Sequence, residues 1–157
     1  MHKEEKERLY EEAFSEIKTR LATLEKGIII PRMATVTAVL KNKIPYYFWC
    51  GFYFCEESEL VVGPYQGTSA CPNIAYSGCC GTSATKKESV IIPNVHEFPT
   101  HIICDPRSNA EIVVPLLDKE GRVIAVFDVD STEINAFDET DREHLERIMP
   151  ILLEGDN

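Results

Sequence analysis

The chain has 157 residues, 44% of them apolar, and 16 Lys and Arg stand against 26 Asp and Glu for a formal net charge of -10. That is enough apolar matter for a real core without help from metals or disulfides. It offers neither the ~20-residue apolar run that spans a bilayer nor the positive charge that nucleic acid and anionic membrane demand. The opening MHKEEKERLYEE has no apolar h-region, so the expectation is a cytoplasmic protein forming one domain over residues 1–157.

The first predicted element is a helix over residues 3–26. Leu9, Ala13, Phe14, Ile17, Leu21 and Leu24 recur at three- and four-residue intervals between charged residues. Gly27 is its natural stop. Pro31 opens a second helix with Met33, Val36, Val39 and Leu40 on its buried side, ending at 42–45. The aromatic run 46–54 predicts a strand, and 60–62 its hairpin partner. Residues 63–80, rich in Gly, Pro, Ser, Asn and Thr, read mostly as loop. A short helix is expected at 81–86, a strand at 89–92 and a second long loop at 93–109. Strands at 111–117 and 123–130 are joined by a turn at 118–121. Asp138 caps a last helix carrying Leu145, Ile148, Met149 and Leu152, which Pro150 should shorten. This order predicts an α+β fold, an antiparallel sheet flanked by helices, with function on the two long loops.

Strand parity sorts the side chains. Trp49, Gly51 and Tyr53 share one face, with Cys55 at its end; Cys50, Phe52 and Phe54 share the other, a core face. Two aromatics around a glycine predict a slot in which a small group meets the backbone between ring walls. The plainer alternative is that both rings pack on a helix. On the strand 123–130, Asp128 and Asp130 share a face with Ile124 and Val126, and Glu111 opens the neighbouring strand. Carboxylates this close repel, so one should keep its proton to unusually high pH and be able to donate it. The alternative there is a solvated strand end.

Six cysteines in a cytosolic chain point to catalysis, metal or core rather than to stapling. Cys71, Cys80 and Cys104 lie on or beside the long loops, in TSACPN, GCCGTSA and HIICDP. A helix starting near Cys80 would lower its thiol pKa. For Cys104, His101 would favour a thiolate and Asp105 oppose it. A thiol oxidised in turnover needs a partner to resolve it, and three loop thiols meet that need. Core packing (for Cys50 and Cys79) and a zinc site using Cys71, Cys80, Cys104 and His96 or His101 are the competing readings; the CxxC or CxxH spacing of a zinc site is missing.

FWCGFYF (48–54), GPYQGTSACPNI (63–74), CGTSA (80–84), PNVHEFPTHIICD (93–105), EIVVPL (111–116) and VFDVDS (126–131) together resemble the free methionine-(R)-sulfoxide reductases, which are single GAF domains. The likeness runs from Trp49 to Phe137. It implies a thioredoxin-dependent reduction of free methionine (R)-sulfoxide that uses no cofactor. It implies Cys104 as the nucleophile and Cys71 and Cys80 as resolving or exchange thiols. Trp49 and Tyr53 are implied to hold the substrate's methyl end, and Glu111, Asp128 and Asp130 its polar end. A homodimer through the terminal helices is also implied. The chain departs from the family pattern in one place. The segment between Cys71 and Cys80 is a residue shorter and carries Cys79 where a small apolar residue is usual. A GAF domain that only binds a small ligand is the alternative function.

Overall fold

The computed structural model describes residues 1–154, so the last three residues of the expected domain span lie outside it. Helix α1 runs Lys3–Leu21 and α2 Ile29–Lys43, separated by a turn in which Gly27 takes a positive φ of 83°. Strands β1 (Trp49–Cys55) and β2 (Leu60–Gln66) form a hairpin, followed by the short β3 (Asn73–Ile74). Helix α3 (Cys79–Lys86) and strand β4 (Val90–Ile92) come next, then β5 (Ala110–Leu117), β6 (Val123–Ser131) and α4 (Glu139–Ile148). A 3-10 turn at Met149–Leu153 carries Pro150 and ends the last helix where that residue was expected to.

Among the described residues the strands form one six-stranded sheet, in the order β3-β2-β1-β6-β5-β4 with every neighbour antiparallel. Each strand divides its side chains between two cores. Cys50, Phe52, Ile112, Val114, Leu116, Ala125, Phe127 and Val129 pack under α1, α2 and α4. Trp49, Tyr53, Val113 and Val126 pack on the opposite face against α3 and the loops. Cys50 is fully buried and offers its thiol to the carbonyl of Thr37, which makes it a core residue as parity predicted.

Two sequence expectations needed revision. The loop predicted at 63–80 begins later, because β2 continues to Gln66. Gly51 pairs with Tyr65 and Tyr53 with Val62, so Gly63 and Pro64 stand together opposite Phe52. Such a bulge is where a sheet tolerates Gly and Pro, residues that otherwise argue against a strand. The helical face of α1 was also read too narrowly. Its buried side includes Lys6 and Tyr10 beside the apolar set. Lys6 Nζ meets Asp141 Oδ2 at 2.6 Å and donates to the carbonyl of Ala136 at 2.9 Å. Asp141 also accepts from Tyr10 and Tyr46 and from the backbone N–H of Asp138, closing the capping box at the start of α4.

Candidate active site

The register brings distant acids into adjacent rows. Trp49 lies opposite Asp130 across β1 and β6, and Asp130 lies opposite Glu111 across β6 and β5. In the next row Gly51, Asp128 and Val113 line up the same way. Above these rows sits a cavity of about 50 Å³, room for a few waters. Of the catalytic and substrate-binding residues expected from the sequence, Trp49, Tyr53, Cys80, Cys104, Glu111, Asp128 and Asp130 line it and Cys71 does not.

The missing residue is bonded to the rim. Cys71 and Cys104 form a disulfide with Cα atoms 5.5 Å apart, joining the two long loops. Cys104 is exposed and Cys71 half-buried. The aromatics hold this rim in place. Tyr53 donates its hydroxyl to the carbonyl of Cys71 at 2.9 Å, and the Trp49 indole donates to the carbonyl of Thr68 at 2.9 Å. Thr68 in turn donates to Asp105, linking the first loop to the second. Thr68 is a rim contact that the sequence did not reveal, since a loop threonine carries no periodic signal.

The slot at Gly51 is a correction. A Cβ there would stand 2.3 Å from Tyr65 Cβ and 2.8 Å from the Trp49 ring. The glycine accommodates those side chains rather than an incoming group. Trp49 stacks on Tyr65 with ring centres 5.5 Å apart and lies 6.1 Å from Tyr53, so the open space is over the acids and not over the glycine. Gly81 has a related task in α3. A Cβ on it would fall 1.9 Å from the carbonyl oxygen of Tyr76, so only glycine lets that turn press on the helix.

The carboxyls behave as the shared face predicted. Glu111 and Asp128 are 5% and 6% exposed, and Glu111 Oε1 and Asp128 Oδ1 have no hydrogen-bond partner among the described residues. Burial, then the charge of Asp130, pushes Glu111 up to about 7. Burial, then the charge of Glu111, raises Asp128 well above the usual carboxylate range, and Asp130 is raised by burial and by Asp128. These are acids poised to hold protons or to take a cationic group.

The thiol of Cys80 overturns an expectation. Helix α3 does start beside it, at Cys79, but Cys80 is 3% exposed against the acids. Burial first, then the charges of Asp128, Glu111 and Asp130, pushes its pKa up, outweighing any dipole of an eight-residue helix. His101 is likewise aimed elsewhere than expected. Its Nδ1 lies 3.9 Å from Cys79 Sγ and 3.8 Å from Glu111 Oε1. Asp105 is occupied by Arg107, whose guanidinium holds its carboxyl below the usual range. Cys55 is half-buried at the end of β1, away from the cavity lining.

A six-stranded antiparallel sheet with helices on one face and a loop-covered cavity on the other is the architecture of a GAF domain. The family model described as a GAF domain matches residues 33–152, and the chain belongs to that family. Within it, the chain groups with the free methionine-R-sulfoxide reductases. The Escherichia coli protein named free methionine-R-sulfoxide reductase is 39% identical over 118 residues, 74% of this chain and 71% of that one. A GAF domain-containing protein A of Dictyostelium discoideum is 45% identical over 125 residues, 78% of each chain. Among solved structures, free methionine-R-sulfoxide reductase from Neisseria meningitidis in complex with its substrate superposes with a TM-score of 0.88 at 38% identity, covering 95% of this chain and 89% of that one.

Proposed function

We propose that this protein is an L-methionine (R)-S-oxide reductase acting on the free amino acid, with Cys104 as nucleophile and Cys71 as resolving thiol. The observation that carries the reading is the Cys71–Cys104 disulfide on the rim of a cavity whose floor holds buried acids. Relatives bearing this activity in their names support it.

In this reading the thiolate of Cys104 attacks the sulfoxide sulfur while Asp128, with Glu111 and Asp130 around it, protonates the oxygen. In one route the oxygen passes to the Cys104 sulfur as the sulfur–oxygen bond breaks, methionine leaves, and Cys71 then displaces the hydroxyl of the resulting sulfenic acid as water. In the other the oxygen leaves first as water, and Cys71 attacks the Cys104 sulfur and displaces methionine from it. Either route ends in the Cys71–Cys104 disulfide and one water, the two electrons and two protons having come from the two thiols. The acids also hold the substrate's ammonium group, which a peptide-bound methionine lacks. Trp49 and Tyr53 wall the methyl end and fix the Cys71 loop by their hydrogen bonds. Cys80 lines the floor in this reading and exchanges no disulfide at the rim, because its sulfur is buried among carboxyls.

The electron donor is thioredoxin in this proposal. Cys104 is exposed, next to Ile103 at 66% exposure, so an external dithiol has access to the bridge. A reducing cytoplasm fits four cysteines that remain free beside a single disulfide. Among the described residues no helix is long and apolar enough to cross a membrane. Pairing of two copies through α1 and α4 belongs to the same reading, and sedimentation at several concentrations decides it. The central test is a thioredoxin-coupled assay on both sulfoxide epimers, free and peptide-bound. Turnover confined to the free R epimer is expected, and full activity of Cys104→Ser would remove the assignment.

A further inference from the structure

We propose that Cys79, His101 and Glu111 form a binding site for a thiophilic divalent cation, Zn2+ in the first instance, on the wall of the cavity. The three donors come from separate parts of the chain: the first turn of α3, the loop after β4 and the second residue of β5. Cys79 Sγ, His101 Nδ1 and a Glu111 carboxylate oxygen all lie within 4.8 Å of one another. The two contacts to the imidazole are 3.9 Å from the sulfur and 3.8 Å from Glu111 Oε1. Ligands that sit 2.0–2.3 Å from a tetrahedral zinc are roughly 3.3–3.6 Å apart, so the two imidazole contacts need to contract by a few tenths of an ångström.

The second observation is independent of that spacing. Glu111 is 5% exposed, yet its Oε1, the oxygen facing His101, has no hydrogen-bond partner among the described residues. A buried acceptor without a donor is costly, and a cation supplies what it lacks. The donor set of thiol, imidazole and carboxylate suits zinc chemistry. Cys79 gives up its proton to solvent when the ion binds, and no electrons move. Cys80 and Asp128 form a second donor cluster that shares Glu111.

An ion held there occupies Glu111 and blocks the place assigned to the substrate's ammonium group. Zinc is therefore expected to inhibit; this consequence rests on the reductase reading, whereas binding does not. The test uses the full chain with its Cys71–Cys104 disulfide intact, so those sulfurs cannot compete. Co2+ titration should give one equivalent with a thiolate-to-metal absorption band, displaced by one equivalent of Zn2+. C79S and, separately, His101→Gln should each weaken binding at least tenfold, with C55S as the unaffected control and near-UV circular dichroism confirming the fold. No band, or a band that survives C79S and vanishes in Cys80→Ser, overturns the site. In a single turnover of the pre-reduced, desalted protein, zinc should lower methionine formation at concentrations at least tenfold lower in the parent than in C79S, where only the freed Cys71 and Cys104 thiols compete for it. Equal inhibition of both overturns the regulatory role. Absence of turnover with any sulfoxide, with the cobalt spectrum intact, would instead sink the reductase reading alone.

Discussion

A single buried acid under the helices and a pair of buried acids under the loops lie on opposite sides of one sheet, and the two sites are built in opposite ways. Under the helices, Asp141 is fully buried and every contact is returned. Lys6 supplies charge, Tyr10 and Tyr46 donate hydroxyls, and the backbone of Asp138 donates an N–H. Under the loops, Glu111 and Asp128 are nearly as buried, but each leaves an oxygen without a donor. The first arrangement is a joint between α1 and α4. The second has desolvated groups whose natural partner is something that arrives. Burial alone therefore does not distinguish structure from function; the hydrogen-bond balance does.

The contrast can be broken or sharpened by substitution. The largest effect is expected from Asp128→Asn, which should lower kcat on free methionine (R)-sulfoxide by about 10²–10⁴-fold, the usual worth of a placed proton donor. Its melting temperature should not fall, and an unchanged rate at neutral pH would remove Asp128 from the chemistry. Asp141→Ala should do the reverse. Removing the buried charge that Lys6, Tyr10 and Tyr46 share should cost about 3–5 kcal/mol in denaturant unfolding. A loss below about 1 kcal/mol would show that the joint is not what holds α1 to α4.

Glu111 offers a pH test that the two clusters should answer differently. Its value rises from 4.5 to about 7 on folding, so between those pH values the folded chain holds a proton that the unfolded chain has released. Stability from this group is then present below pH ~4.5 and falls as pH rises toward 7. Glu111→Gln should abolish that slope. In chelator-treated protein it should be more stable than the parent at pH 8, by about 3 kcal/mol, and equal to it at pH 4. Parallel stability curves for parent and variant would refute the cost assigned to this acid. The smallest effect is expected from Tyr46→Phe, which removes one of Asp141's donors and should cost about 1 kcal/mol without changing turnover.

Much of this was readable along the chain because the signals are local. Period-two alternation put Trp49 and Tyr53 on one face and Cys50 and Phe52 on the other, and the same rule paired Asp128 with Asp130. Asp138 announced the start of α4 through a capping pattern contained in four residues. Where the reading failed, the cause was a partner distant in sequence. The strand through Gly63 and Pro64 exists because a bulge opposite Phe52 admits them. The space left by Gly51 is filled by Tyr65, fourteen positions on, and by the ring of Trp49. Cys80 received a helix start, as expected, and lost the benefit to three carboxyls contributed by β5 and β6.

The sequence by itself determined which strand side chains face the cavity, because that follows from alternation and needs no knowledge of neighbours. It also determined that thiols and acids would gather near the long loops. Only the tertiary structure decided which thiols are bonded, where His101 points and which acids lack a donor. Those outcomes depend on the register of three antiparallel strands and on the closure of two loops, and both are set by contacts between residues tens of positions apart.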